Sequence, residues 1–132
     1  MAAHLSALIA IAGLPFGHIL GPLIVYLTKG HESEFVAAHA RASLNYQITL
    51  SLGVIVAMIV GVAVMFGFIV PLHDASDSAA TAAGLSFAGF WVAFGLVALL
   101  VMLLSVIFII MGTIKASEGQ PYSYPFAIRF LR

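Results

Sequence analysis

Three stretches of the chain are almost purely apolar, running from about Leu5 to Leu27, Leu44 to Leu72 and Leu85 to Ile114, and none contains Asp, Glu, Lys or Arg. A bilayer is crossed by roughly 20 apolar helical residues, so each run is long enough. In lipid the backbone has no water to bond to, and each run must therefore be a helix. A closed strand barrel would show short alternating segments, and these runs do not alternate. Between the first two lies a mixed stretch, His31 to Gln47. In it Phe35, Val36, Ala40 and Leu44 fall near one helical face, while His39, Ser43, Gln47 and Ser51 recur every four residues as a polar stripe. Lys29-Gly30 suits a helix end and Ser33 a new helix start. A helix unbroken from Ser33 through Leu72 would be about 60 Å long, twice the hydrocarbon thickness. Its first part, about 33–43, is therefore expected as an amphipathic segment that lies at the interface or bends.

Small and polar residues punctuate these runs. Gly13, Gly17 and Gly21 are spaced four apart in the first, together with Pro15 and Pro22; Gly53, Ala57 and Gly61 give the second a small face of its own. Such faces let helices approach closely, and the reading preferred here is helix packing. Gly/Pro-interrupted helices also mark transporter sites, which keeps a functional break open. His18 falls near the expected bilayer centre, where an ionisable residue is a functional candidate by default. The competing reading is a neutral imidazole hydrogen-bonded within the bundle, since no carboxylate lies at that depth. Asn45 and Gln47 carry amides into the apolar zone and need partners, expected among carbonyls freed by the prolines or at His39 and His18. Together His18, His39, Arg41, Asn45 and Gln47 are the candidate polar residues within the membrane or at its interface.

Composition sharpens the class. Of 132 residues 63% are hydrophobic and 8% charged, against about 25% charged in a soluble domain. The expected architecture is all-α: a single integral membrane domain over 1–132 with three transmembrane helices, a cytoplasmic amphipathic helix before the second and an amphipathic C-terminal tail. The segment MAAH carries no Lys or Arg, so the first run is expected as a retained helix rather than a secretory signal. There is no cysteine, hence no disulfide framework and no thiolate chemistry. A formal net charge of zero argues against nucleic acid as a partner. The loop from His73 to about Gly84 holds Asp74 and Asp77, which are expected to be solvated rather than to hold metal. All five basic residues, Lys29, Arg41, Lys115, Arg129 and Arg132, fall in the first loop or the tail. The positive-inside rule then puts those parts on the cytoplasmic side of a plasma membrane and the N-terminus outside. In the tail, Gly119 and Pro121 make a turn. Tyr122, Tyr124, Arg129 and Arg132 are expected as anchors of a surface-lying segment (about 121–132), with Phe126 and Phe130 on one helical face.

A resemblance rests on four blocks: Ala3-His4-Leu5-Ser6; Gly21-Pro22-Leu23; Ser33, Phe35, Val36, His39, Ala40, Leu44, Asn45 and Gln47 in one spaced series; and Lys115-Ala116 followed by Gly119, Tyr122, Tyr124 and Pro125. Together these look like the Tic-twenty-like family of small prokaryotic membrane proteins, related to the twenty-kilodalton subunit of the chloroplast inner-envelope translocon. That family often carries an acid where this chain has Ala42, Phe where it has Tyr46 and Glu where it has Gln120, so Arg41 lacks a neighbouring acid. The resemblance implies three membrane helices and adds no catalytic residue.

Three functions compete. A small assembly or interaction subunit, packing through its glycine faces with itself or with a larger membrane complex, fits the size and the shortage of catalytic groups best. An oligomeric transporter, channel or translocon-like component would line its path with His18, His39, Asn45 and Gln47 and place Arg41 at the cytoplasmic mouth. An intramembrane enzyme is disfavoured, because the apolar runs hold no carboxylate and neither Ser51 nor Ser105 has a base beside it in the sequence. No cofactor or metal is expected. The expected partners are the lipid bilayer and other membrane subunits.

Overall fold

The computed structural model describes residues 2–7, 17–69 and 76–131, the side chains of 68 and 69 apart. Gly13, Pro15, Pro71, His73, Asp74 and Arg132 lie outside the described residues. Among the described residues there are four helices: α1 (Ala2–Leu5), α2 (Gly17–Lys29), α3 (Glu34–Ile69) and α4 (Asp77–Ser117).

α2 holds Pro22 in its interior, buried. Proline brings no N–H, so the His18 carbonyl loses its usual helical donor. Beside it Gly21 is pressed against the backbone of Ser6, where a Cβ would collide with the carbonyl carbon at 2.7 Å. Gly17 of the same series is buried as well. α2 ends as expected, with Gly30 N–H donating to the Tyr26 carbonyl at 3.0 Å. With 13 residues, α2 spans about 20 Å, so of the expected first span only the flanking parts are described.

α3 starts where Ser33 caps it, its carbonyl accepting from Ala37 N–H (3.0 Å) and its hydroxyl from Val36 N–H (3.5 Å). It then continues for 36 residues. The separate amphipathic helix expected over 33–43 is instead the opening of α3. Nothing between Ala40 and Leu50 could break a helix: that stretch has neither glycine nor proline. α4 also starts earlier than expected. Ser76 caps it, with Ala79 N–H on its hydroxyl (3.4 Å) and Ala80 N–H on its carbonyl (2.9 Å). Asp77 sits in the first turn and alanines follow, so much of the expected loop is helix.

The chain divides into two compact units. One comprises Met1–Leu52 with Leu104–Arg132, the other Gly53–Leu103. In the second, Gly61 lies against Trp91 (3.3 Å from an added Cβ to the ring), whereas Gly53 has nothing within 4 Å. Gly61 is thus a packing position, and Gly53, expected to be one, faces no other part of the described chain. Most large side chains of this unit are exposed, among them Ile59, Val92 and Leu96. In the most apolar windows of α3 and α4 only 6% and 11% of residues are buried. The core helix of a soluble protein would be mostly covered, so these surfaces need lipid or a partner.

The first unit holds the buried core. Ala7, Tyr46, Ile109 and Tyr124 form its centre, with Ala42, Leu50, Phe108 and Tyr122 packed around them. The tail belongs to this core. α4 closes with Gly119 at φ +69°, Gln120 N–H on the Lys115 carbonyl (2.9 Å) and Gly119 N–H on the Ala116 carbonyl (3.4 Å), the Schellman arrangement that needs a glycine at this point. After Pro121 the chain folds back with no further helix through residue 131. The amphipathic surface helix expected for the tail is therefore not formed, and Phe126 and Phe130 share no helical face. Pro121 and Pro125 oppose it, and α3 supplies the tail backbone with other partners.

Candidate functional site

In the first unit, polar side chains from the N-terminal segment, α3 and the tail meet out of water. His4 and Ser43 are fully buried, and His39, Gln47, Asn45 and Tyr124 nearly so. Burying such groups is costly unless they are hydrogen-bonded, and two clusters of bonds engage His4, His39, Tyr124 and Asn45.

The first is a directed chain. The Gln120 carbonyl can only accept, so the bond at 3.0 Å requires the proton of His39 on Nε2. His39 Nδ1 is then a lone pair and accepts from His4 Nε2–H at 2.7 Å. That leaves His4 Nδ1 as an acceptor, filled by the Tyr124 hydroxyl at 2.9 Å. With both rings neutral, every donor points the same way, from Tyr124 through His4 and His39 to the tail backbone. Burial first, and His39 beside it second, push the His4 pKa down to about 4, which keeps that ring neutral. Burial likewise pushes the Tyr124 phenol up, the nearby Ser43 hydroxyl acting in the other direction, so Tyr124 stays a donor. Ser43 Oγ itself is buried with no hydrogen-bond partner. Rings close the site: Tyr46 stacks on Tyr124 at 4.3 Å, and Tyr122 stands edge-on to both Tyr124 and His4. Gly112 of α4 makes the room, since a Cβ there would lie 3.0 Å from Tyr122 and 3.2 Å from His4.

The second cluster ties the end of the tail to α3. Asn45 Nδ2 donates to the Leu131 carbonyl (3.0 Å), and Asn45 Oδ1 accepts from Phe130 N–H (3.1 Å) and Leu131 N–H (2.8 Å). One turn on, Thr49 Oγ1 accepts from Ile128 N–H at 2.9 Å and donates to the Asn45 carbonyl at 2.7 Å. Side chains of a helix here do what a neighbouring strand does in a sheet: they satisfy an extended backbone.

The expected polar residues are thus dispersed rather than aligned. His18 Nε2–H donates to Ser51 Oγ at 3.1 Å, and that hydroxyl donates to the Gln47 carbonyl at 2.8 Å. His39 is bound to His4, and Asn45 to the tail instead of to proline-freed carbonyls or a histidine. Gln47 is buried beside them. Arg41 finds an acid after all, seven residues back, with Nη2 on Glu34 Oε1 at 2.9 Å. Of the residues expected as interface anchors, Tyr124 is a buried hydrogen-bond donor, Tyr122 is half-buried and Arg129 is exposed. The sequence reading did not place His4, Tyr46, Ser105 or Gly112 among the site residues. Tyr46 and Ser105 share a hydroxyl contact at 2.9 Å. Gly112 is one of three glycines in the bulky third run, with Gly89 and Gly95, and no sequence signal set it apart from those two. His4 offered only a single histidine ahead of an apolar run. Among the described residues no three His, Cys, Asp or Glu side chains gather where a metal could sit.

The fold and this site define a small helical membrane protein whose polar interior holds its own segments together. More narrowly, the chain belongs to the magnetosome magnetite crystal formation protein family (MamF/MmsF), whose model matches residues 1–131. This corrects the Tic-twenty-like resemblance. The residues that carried it, His39, Leu44, Asn45, Tyr122, Tyr124 and Gly119 among them, fasten the tail to α3 or turn the chain, and residues with such packing duties are a poor guide to family. Searches of curated proteins and of solved structures found no match.

Proposed function

We propose that the protein is a small integral subunit of the magnetosome membrane that acts in magnetite crystal formation by assembling with itself or with a larger membrane complex, and not by catalysis. The observation that carries this reading is the family match over nearly the whole chain. The apolar surfaces of α3 and α4 that the chain leaves uncovered supply a face for lipid and neighbouring helices. In the fuller form of the reading three helices cross the bilayer, the first including α2, with the first loop and the tail on the cytoplasmic side, where all five basic residues lie. The buried polar side chains bond mainly to one another and to the tail backbone, as groups that fasten a structural interior do, and that favours a subunit over a conducting path.

Deletion of the gene in a magnetite-forming host, with complementation by the intact chain, tests the function. Crystal number or size should change on deletion and recover on complementation. Unchanged crystals would remove the role. Gentle detergent extraction tests the mode of action: a particle much larger than one 13.9 kDa chain with its detergent is expected, and a monomer at native abundance would count against assembly.

A further inference from the structure

The tail and α3 enclose a cleft of about 470 Å³ lined by Ala38, Arg41, Ala42, Asn45, Ser123, Tyr124, Ala127, Arg129 and Leu131. Among the described residues its walls carry two guanidinium groups and no carboxylate. Arg129 makes no hydrogen bond or ion pair with any described residue. Arg41 shares one amino group with Glu34, whose side chain is 88% exposed. Such a surface pair holds its partners weakly, and a guanidinium has five N–H donors, so Arg41 keeps others for the cleft beyond those that Glu34 and the Tyr26 hydroxyl take. Asn45 spends its amide on the tail backbone, which fixes the opposite wall in place. Ala42, Ala127 and Leu131 make the remaining lining apolar.

We infer that this cleft binds an anionic phosphate group, gripped between Arg41 and Arg129. Planar guanidinium forks match the oxygens of a phosphate in a way that ammonium groups do not. The two groups stand on different elements, one on a helix and one on the folded-back tail, so a phosphate between them bridges the tail to α3. The apolar lining suits the glycerol and first methylenes of a lipid, but the recognised chemistry is the same whether the phosphate belongs to a lipid head group or is free. The inference does not depend on the proposed role in crystal formation.

The test is native mass spectrometry of the whole chain in a neutral detergent, with phosphatidylglycerol, phosphatidylcholine and inorganic phosphate each titrated in. One phosphatidylglycerol should be retained per chain in preference to phosphatidylcholine, and R129Q and R41Q/R129Q should each weaken that retention about tenfold or more. Displacement of the lipid by inorganic phosphate would support the site with free phosphate as a ligand, and resistance to displacement would support it as a lipid site. Both arginines reach the surface, so the variants should keep the helical circular dichroism of the parent, and R129Q leaves the Glu34 pair untouched. Retention that is equal in parent and variants would overturn the inference.

Discussion

At the residue scale, His4 decides how the first unit responds to acid. Its ordinary pKa of 6.5 falls to about 4 in the folded chain, mainly through burial. Above the ordinary value the ring is neutral in both folded and unfolded chains, and its contribution is intact. As the pH drops from 6.5 toward 4, the unfolded chain takes up a proton that the folded chain refuses. Stability should fall there by up to about 1.4 kcal/mol per pH unit. Thermal melts in detergent across that window would show it, and His4→Gln should flatten the part of the slope that His4 supplies. An unchanged slope in the variant would refute this account. Tyr124→Phe deletes the donor to a buried ring nitrogen and should cost about 1–3 kcal/mol at neutral pH. The glycines separate by surroundings rather than by spacing. Gly112→Ala pushes a methyl group against Tyr122 and His4 and should destabilise by about 1–3 kcal/mol. Gly53→Ala meets open space and should be neutral or stabilise by up to about 1 kcal/mol through helix propensity. Equal melting shifts for the two would contradict that distinction. Spacing had marked Gly53 and passed over Gly112, because spacing names a face and not what lies opposite it.

At the element scale, the tail is held by α3 rather than by a helix of its own. Asn45 answers three backbone groups, and Asn45→Leu would leave them without partners. The tail should then detach while α3 and α4 persist. Trypsin cleavage at Arg129 should speed up and amide exchange over 128–131 should rise, with little change in helical content. Protection equal to that of the parent would mean that the aromatic packing of Tyr124 alone holds the tail. The helix start at Ser33 and the turn at Gly119 were legible because capping is local, set within a few residues of chain, whereas the start of α4 after Ser76 was missed because its polar first turns read as loop. The tail was misread for the converse reason. Phe126, Arg129 and Phe130 have amphipathic spacing, but that spacing is silent about a helix distant in sequence that offers stronger bonds.

At the scale of the whole molecule, α3 and α4 are about 54 and 61 Å long at 1.5 Å per residue, against a hydrocarbon layer of about 30 Å. In α3 the surplus falls in its polar opening, which the N-terminal segment and the tail bury, and exposed apolar side chains run from Leu52 through Phe66. The chain has no cysteine, so single cysteines report sidedness without background. Ser117→Cys should label from the cytoplasmic side and Ser78→Cys from the opposite side. Labelling of both from one side would exclude α4 as a span.

The sequence by itself determined that the protein is helical and largely apolar, that a helix starts at Ser33, and where its charges lie. These follow from what each residue and its near neighbours prefer in lipid or at its edge. Only the tertiary structure decided that His4 meets His39 and Tyr124, that Asn45 serves the tail, and that Gly112 rather than Gly53 is a contact. Those pairings join positions far apart along the chain, and a buried polar group takes whichever partner the fold brings within reach.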